Sequence, residues 1–273
     1  MREPLALGLA CVIAACGQPT RGSGGDDDGG DLDGGQGSGA DAPDSPGVTF
    51  VYAHTSTELY KVDPDTLAIM KVGNFQWSNG SDQMTDIAID KNGRMIGVSY
   101  TAVYQVDATT AAATRLSTGL SGTFNGLSFV PAEMVGQTGD DVLVGTRNDD
   151  GIVFRIDPAT GQATMIGNMG SYSSSGDLVA VKDFGTVLTA DNGISADRLV
   201  RLAPSTFSAT PIGSSIGFSE IWGVAFWKGK IFGFTNGGEF VTIDPNTGVG
   251  TLVQRNGPAW WGAAVTTSAP VIL

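Results

Sequence analysis

Three acidic residues, Asp86, Asp177 and Glu220, each stand at or just ahead of a short apolar run: Ile87–Ile89, Leu178–Val181 and Val224–Phe226. Two carboxyl groups facing one bond are what glycoside hydrolysis requires, so these three are the candidate catalytic set if the chain is an enzyme. No motif singles out a pair among them, and Asp86 and Asp177 serve equally well as caps on backbone N–H groups. Aromatic residues fall in the same kind of loop: Trp77, Phe124, Tyr172, Trp222 and Trp261, with Asp191 and Asn192 in a neighbouring set. Indole and phenyl faces stack on the apolar face of a sugar or other ring, while carboxylates and amides take its hydroxyls. The alternative for each aromatic is a wedge between structural units. The leading reading is therefore a binding module acting through an aromatic-acidic face, and a glycan-acting hydrolase on that same face is the rival.

Other chemistries find little support. His54 is the only histidine. It shares a column with Val98, Gly145, Ala190 and Phe234, and a lone His in such a column is expected to be packed rather than basic. No His-rich metal site, serine triad or cofactor motif is present. Asp183-Phe184-Gly185 is read as a hairpin turn, because the companions of a kinase signature are missing. The chain has 28 acidic and 15 basic residues with no basic patch, which argues against nucleic acid as a partner.

The elements that must position these residues are repeats. Five stretches share one pattern: Leu59–Pro64, Val103–Ala108, Val153–Pro158, Leu199–Pro204 and Phe240–Pro245. Their fifth positions, 63, 107, 157, 203 and 244, are spaced by 44, 50, 46 and 41 residues. Two further apolar runs precede each copy, with alternation of period two and turns such as Lys91-Asn92-Gly93. A period in the forties made of short strands predicts an all-β, five-bladed β-propeller of four-stranded antiparallel blades. Asp-Pro-x-Thr-Gly then joins the third and fourth strands: Pro presets the turn, Asp accepts a backbone N–H, and Gly supplies the left-handed residue. The first copy lacks an inner strand, and the last apolar run, Gly262–Val265, lacks partners. The C-terminal strand is therefore expected to complete the first blade and close the ring, which removes exposed sheet edges.

The N-terminus reads differently. Met1 to Ala15 has a charged start and an apolar run too short to span a bilayer, the form of a secretory signal. Ile13-Ala14-Ala15-Cys16 fits the lipobox of bacterial lipoproteins, in which the Cys is acylated, with simple cleavage or a cut before Cys11 as alternatives. Cys11 would leave with the signal and Cys16 would carry lipid, so no thiol is left for a disulfide or a zinc site. Residues 16–47 form a Gly/Asp/Ser-rich tether with almost nothing to bury, expected to be disordered. As a flexible coil it would reach roughly 30 Å. Its run Asp26-Asp27-Asp28 lacks the spacing of a calcium loop. Residues 48–273 are the propeller.

The Leu-Tyr-x-Val-Asp-Pro and Phe-Arg-Ile-Asp-Pro-x-Thr-Gly units resemble those of secreted bacterial β-propeller repeat proteins, and the start resembles a Gram-negative lipoprotein precursor. The second and fourth copies depart from the pattern, with Ala108 for Pro and Ala203 for Asp. The resemblance implies a monomer held to a membrane by lipid on Cys16, on the outer membrane or cell surface. It further implies a glycan, small molecule or protein as ligand, and no cofactor.

Overall fold

A computed structural model describes residues 51–191 and 196–272. Cys16, the whole signal and tether, and Asn192 lie outside the described residues.

In chain order the first strands are β1 (Val51–His54), β2 (Glu58–Val62) and β3 (Ile69–Asn74), then the two-residue β4 (Gln76–Trp77). The second blade has β5 (Asp86–Ile89), β6 (Met95–Val98), β7 (Val103–Val106) and β8 (Ala112–Ser117). The third has β9 (Gly126–Val130), β10 (Val142–Thr146), β11 (Ile152–Ile156) and β12 (Ala163–Asn168). In the fourth are β13 (Ser173–Val181), β14 (Gly185–Asp191), β15 (Arg198–Leu202) and β16 (Ala209–Ile212). The fifth holds β17 (Ile221–Trp227), β18 (Lys230–Thr235), β19 (Phe240–Ile243) and β20 (Gly250–Gln254), and β21 (Gly262–Ala264) ends the series. Each blade is an antiparallel meander, and the first runs β21-β1-β2-β3. The ring is closed by the C-terminal strand, as Ala263 pairs with Ala53 and Gly262 with His54. The inner strands β5, β9, β13, β17 and β21 neighbour one another around the complete circle. Four-stranded blades in a closed ring of five are the expected fold.

The turn residues behave as their chemistry predicts, with one addition. Asp63, Asp107 and Asp244 each accept two backbone N–H groups through Oδ1, and Asp157 accepts one. Those bonds, led at Asp107 by the Thr109 hydroxyl, hold all four carboxyls below the usual aspartate range. The left-handed position that follows is Gly161 or Gly248 in two blades, but Leu67, Ala111 and Phe207 in the others. A non-Gly residue there is strained by about 1–2 kcal/mol. Burial supplies an offset: Ala111 and Phe207 are buried, and Phe207 fills the space over Gly167 of the preceding blade. The strand 3–4 turn is thus also the wedge that locks adjacent blades.

β4 was not anticipated. It pairs in parallel with β8 through Gln76–Ala112 and Trp77–Ala113, adding a fifth strand to the outer edge of the second blade. Beyond β21 the tail crosses the lower end of the ring. Thr266 Oγ1 donates to the Asp90 carbonyl (2.7 Å), the Thr267 carbonyl accepts Lys182 N–H (2.8 Å), and the Pro270 carbonyl accepts Lys228 N–H (2.8 Å). One short segment therefore ties the second, fourth and fifth blades together beneath the channel.

Candidate functional site

The residue just before the apolar stretch of each inner strand forms a ring around the axis: Asp86, Gly126, Asp177, Gly223 and Gly262. Two carboxyls and three glycines alternate for a steric reason. A Cβ on Gly262 would fall on Asp86 Oδ1 and His54 Nε2, and one on Gly223 would meet the Gly262 backbone at 2.6 Å. Asp86 Oδ1 accepts Ile87 N–H at 2.8 Å. Asp177 spans two blades, accepting Leu178 N–H at 2.6 Å on Oδ1 and Val224 N–H at 2.8 Å on Oδ2. Both side chains are fully buried. Burial pushes both carboxyls well above the usual range, and for Asp86 the neighbouring Asp177 charge adds to the effect.

His54 completes this cluster. Its register places it opposite Gly262, in the column of Val98, Thr146 and Phe234, so Thr146 stands where Gly145 was expected, and Ala190, paired with Ser174, falls outside the column. Its Nδ1 donates to the Thr55 carbonyl (2.9 Å), which leaves Nε2 as the acceptor, 3.5 Å from Asp86 Oδ1. Burial lowers its pKa to about 4, so the imidazole is neutral at pH 7. Neither His54 Nε2 nor Asp86 Oδ2 meets a hydrogen-bond donor or acceptor within normal limits.

Directly before that ring in sequence come Thr85, Asn125, Trp222 and Trp261, and these four line a cavity of about 200 Å³ with Tyr100 and Ser175. Local irregularities aim two of them. β17 pairs with β18 through Ile221–Thr235 and then Gly223–Phe234, so Trp222 is the extra residue of a bulge. β13 slips further, advancing four residues from Ser174 to Leu178 while β14 advances two, which sets Ser175 outside the ladder. The Trp222 and Trp261 rings meet edge to face, their centroids 6.2 Å apart and their planes at 85°. Asn148, Ser175 and Trp222 also line a second lobe of about 300 Å³ that holds Asp191, Asp197 and Glu220. Asp197 is buried; its Oδ1 accepts from Ser175 Oγ (2.8 Å) and its Oδ2 from Ile221 N–H (2.7 Å). Its carboxyl is raised, first by burial and then by the Asp191 and Glu220 charges.

The structure thus sorts the candidate residues. Trp222 and Trp261 come together as walls, Asp191 lies in the adjoining lobe, and Phe124 is buried in the floor, packed edge-on to Phe154 at 5.6 Å. Trp77 and Tyr172 do not join them. Trp77 sits in β4 against Tyr104 (4.9 Å) and Phe75 (5.5 Å), and Tyr172 packs on the core between the third and fourth blades. Both are structural wedges, because β4 turns Trp77 to the outer edge of its blade. Nor do Asp86, Asp177 and Glu220 form one constellation. The first two are buried against backbone amides and neither lines either lobe, whereas Glu220 is exposed in the second lobe. Thr85, Tyr100, Ser175 and Asp197 belong to the site but not to the sequence-derived set. Aligning the five residues ahead of the Asp/Gly ring would have exposed Thr85; nothing in the pattern marks the others. Among the described residues no three His, Cys, Asp or Glu side chains are grouped to hold a metal ion.

No protein-family model matches the chain, and no curated protein matches it. The chain is similar in fold to one in a crystal structure of a nidogen/laminin complex, with a TM-score of 0.54 and 7% identity over 82% of this chain and 100% of that one. A protein of unknown function from Bacteroides caccae aligns at a TM-score of 0.40 and 11% identity over 77% of this chain and 73% of its own. At these identities the nidogen/laminin likeness is one of fold.

Proposed function

We propose that this propeller is an interaction module whose ligand seats at the mouth of the channel, on the side away from the C-terminal tail. The Trp222–Trp261 corner carries this reading: two half-buried indoles at right angles line an open cavity beside Asn125, Asn148 and Ser175. Large rigid aromatics beside convergent polar groups are the usual make-up of a small-ligand site. A glycan or another ring-bearing small molecule suits that corner. The absence of Asp86 and Asp177 from the cavity wall favours binding over hydrolysis, since a general acid and base must reach the bond they act on. In cells the module would be held outside the cytoplasm by lipid on Cys16, as the lipobox and the tether composition suggest.

Two measurements test these claims. A glycan-array and hydrolysis screen of the full chain should give binding without turnover. The Trp222→Ala/Trp261→Ala double variant should bind about 30-fold more weakly, as expected when aromatic anchors worth about 2 kcal/mol are removed. Equal binding by wild type and variant would overturn the site. Separately, a fatty-acid probe should label the wild-type protein in a Gram-negative host and fail to label Cys16→Ala, and persistent labelling of the variant would refute the anchor.

A further inference from the structure

The two lobes of the mouth differ in chemistry. Two indole planes at 85° form the corner of an aromatic cage, and Tyr100, lining the same cavity with 44% of its surface exposed, offers a third wall. Aromatic faces carry negative quadrupoles and attract ammonium groups within about 6 Å of a ring centroid. The adjoining lobe brings the carboxylates of Asp197 and Glu220 to the same Trp222. No Lys or Arg is among the described residues that line either lobe. The two guanidinium groups next in the chain are engaged elsewhere. Arg147 pairs with Asp150 and lies over the Phe154 ring at 4.4 Å, while Arg198 Nε donates to the Ser214 carbonyl at 2.9 Å.

We propose that the ligand carries a positively charged nitrogen, a primary amine or a quaternary ammonium, seated in the Trp222–Trp261 corner and drawn there by Asp197 and Glu220. The inference rests on the binding reading above and narrows it to organic cations, amino sugars among them. A neutral ring would gain the stacking but make no use of the Asp197 and Glu220 carboxylates. A bound cation answers both, and would relieve the repulsion that Asp191 and Glu220 exert on the buried Asp197 carboxyl.

The test uses the full chain and three probes of one shape: benzyltrimethylammonium, benzylamine and benzyl alcohol, followed by tryptophan fluorescence and ligand-observed NMR. Both cations should bind about tenfold or more tightly than the alcohol, the preference expected from cation–π attraction in a partly desolvated site. Glu220→Gln, an exposed substitution, should shrink that preference about threefold. Asp197→Asn should shrink it further, but its carboxylate also accepts Ile221 N–H, so Glu220→Gln is the variant that keeps the test valid if Asp197→Asn misfolds. Trp222→Ala/Trp261→Ala should weaken all three probes. Equal binding of alcohol and cations, still lost in the tryptophan variant, would overturn charge selection while leaving the cleft. Cation binding unaffected by the tryptophan variant would overturn both. Failure of the cations to bind at all would overturn this inference, and the glycan screen would then decide the cleft independently.

Discussion

A chain ending at residue 258 is expected not to fold cooperatively. Residues 259–273 supply the inner strand of the first blade, and without it β1 presents an unpaired edge to solvent. They also supply Trp260, almost fully buried and packed edge-on to Phe234 (5.4 Å) and Tyr60 (5.1 Å). Emptying such a site costs about 3–5 kcal/mol on its own. The tail's bonds to Asp90, Lys182 and Lys228 are lost as well, and with them the bracing beneath the channel. A whole domain is stable by only about 5–15 kcal/mol, so these losses together exceed or exhaust it. Size-exclusion chromatography should show aggregates, and a thermal scan should show no sharp transition. Trp260→Ala in the full chain should stay folded and melt roughly 10 °C lower, at the few degrees per kcal/mol expected of a domain this size. A truncated protein with the wild-type melting curve would show that ring closure contributes little.

The ring was legible because each blade repeats the same local problem. Alternation recurs in every copy and an Asp-led turn in four of the five, and strands of period two pair with the neighbour next in sequence. The closing strand was legible by subtraction, as one blade lacked its inner strand and one apolar run lacked partners. The site was legible only as a face. Trp222 and Trp261 meet because a bulge in β17 and the closing strand bring positions 39 residues apart in sequence (261 − 222) to one corner. No periodicity encodes a bulge. Trp77 stands in an equivalent loop but was captured by β8 as an outer strand, a parallel pairing that alternation cannot foresee. The bonds from the tail to Asp90 and Lys182 likewise join distant stretches, and depend on where the chain goes after its last repeat. Local rules therefore recovered the scaffold, and tertiary placement decided which of its aromatics line the cleft.

The buried carboxyl pair is the point where scaffold and site meet, and its two members should respond differently to substitution. Asp177→Ala is expected to cost about 3–5 kcal/mol, because Leu178 N–H and Val224 N–H lose their acceptor in a place water does not reach. The loss should pass to the mouth, since Val224 lies two residues beyond Trp222 and the bond to Asp177 fixes the strand after its bulge. Asp86→Asn should be nearly neutral at pH 7. Two neighbouring buried carboxylates resist ionising together, and Asp177 accepts two backbone N–H groups against one for Asp86, so Asp86 is the member that keeps its proton. An amide keeps an acceptor for Ile87 N–H and carries no charge. The sign of the pH dependence follows. A carboxyl whose pKa is raised by folding stabilises fully below the unfolded value near 3.8 and loses that contribution as pH climbs through its folded value. His54 works the other way: lowered to about 4 by burial, it stabilises above the unfolded value near 6.5 and loses this as pH falls toward 4. Between about pH 4 and 6.5 the two contributions change in opposite directions, so in the wild type they offset one another. In Asp86→Asn the opposing carboxyl contribution is gone, so stability should fall more steeply from pH 6.5 toward 4 than it does in the wild type. Chemical denaturation at several pH values reads this difference, and an Asp86→Asn profile parallel to wild type between pH 4 and 6.5 would mean that Asp86 is ionised in the folded protein.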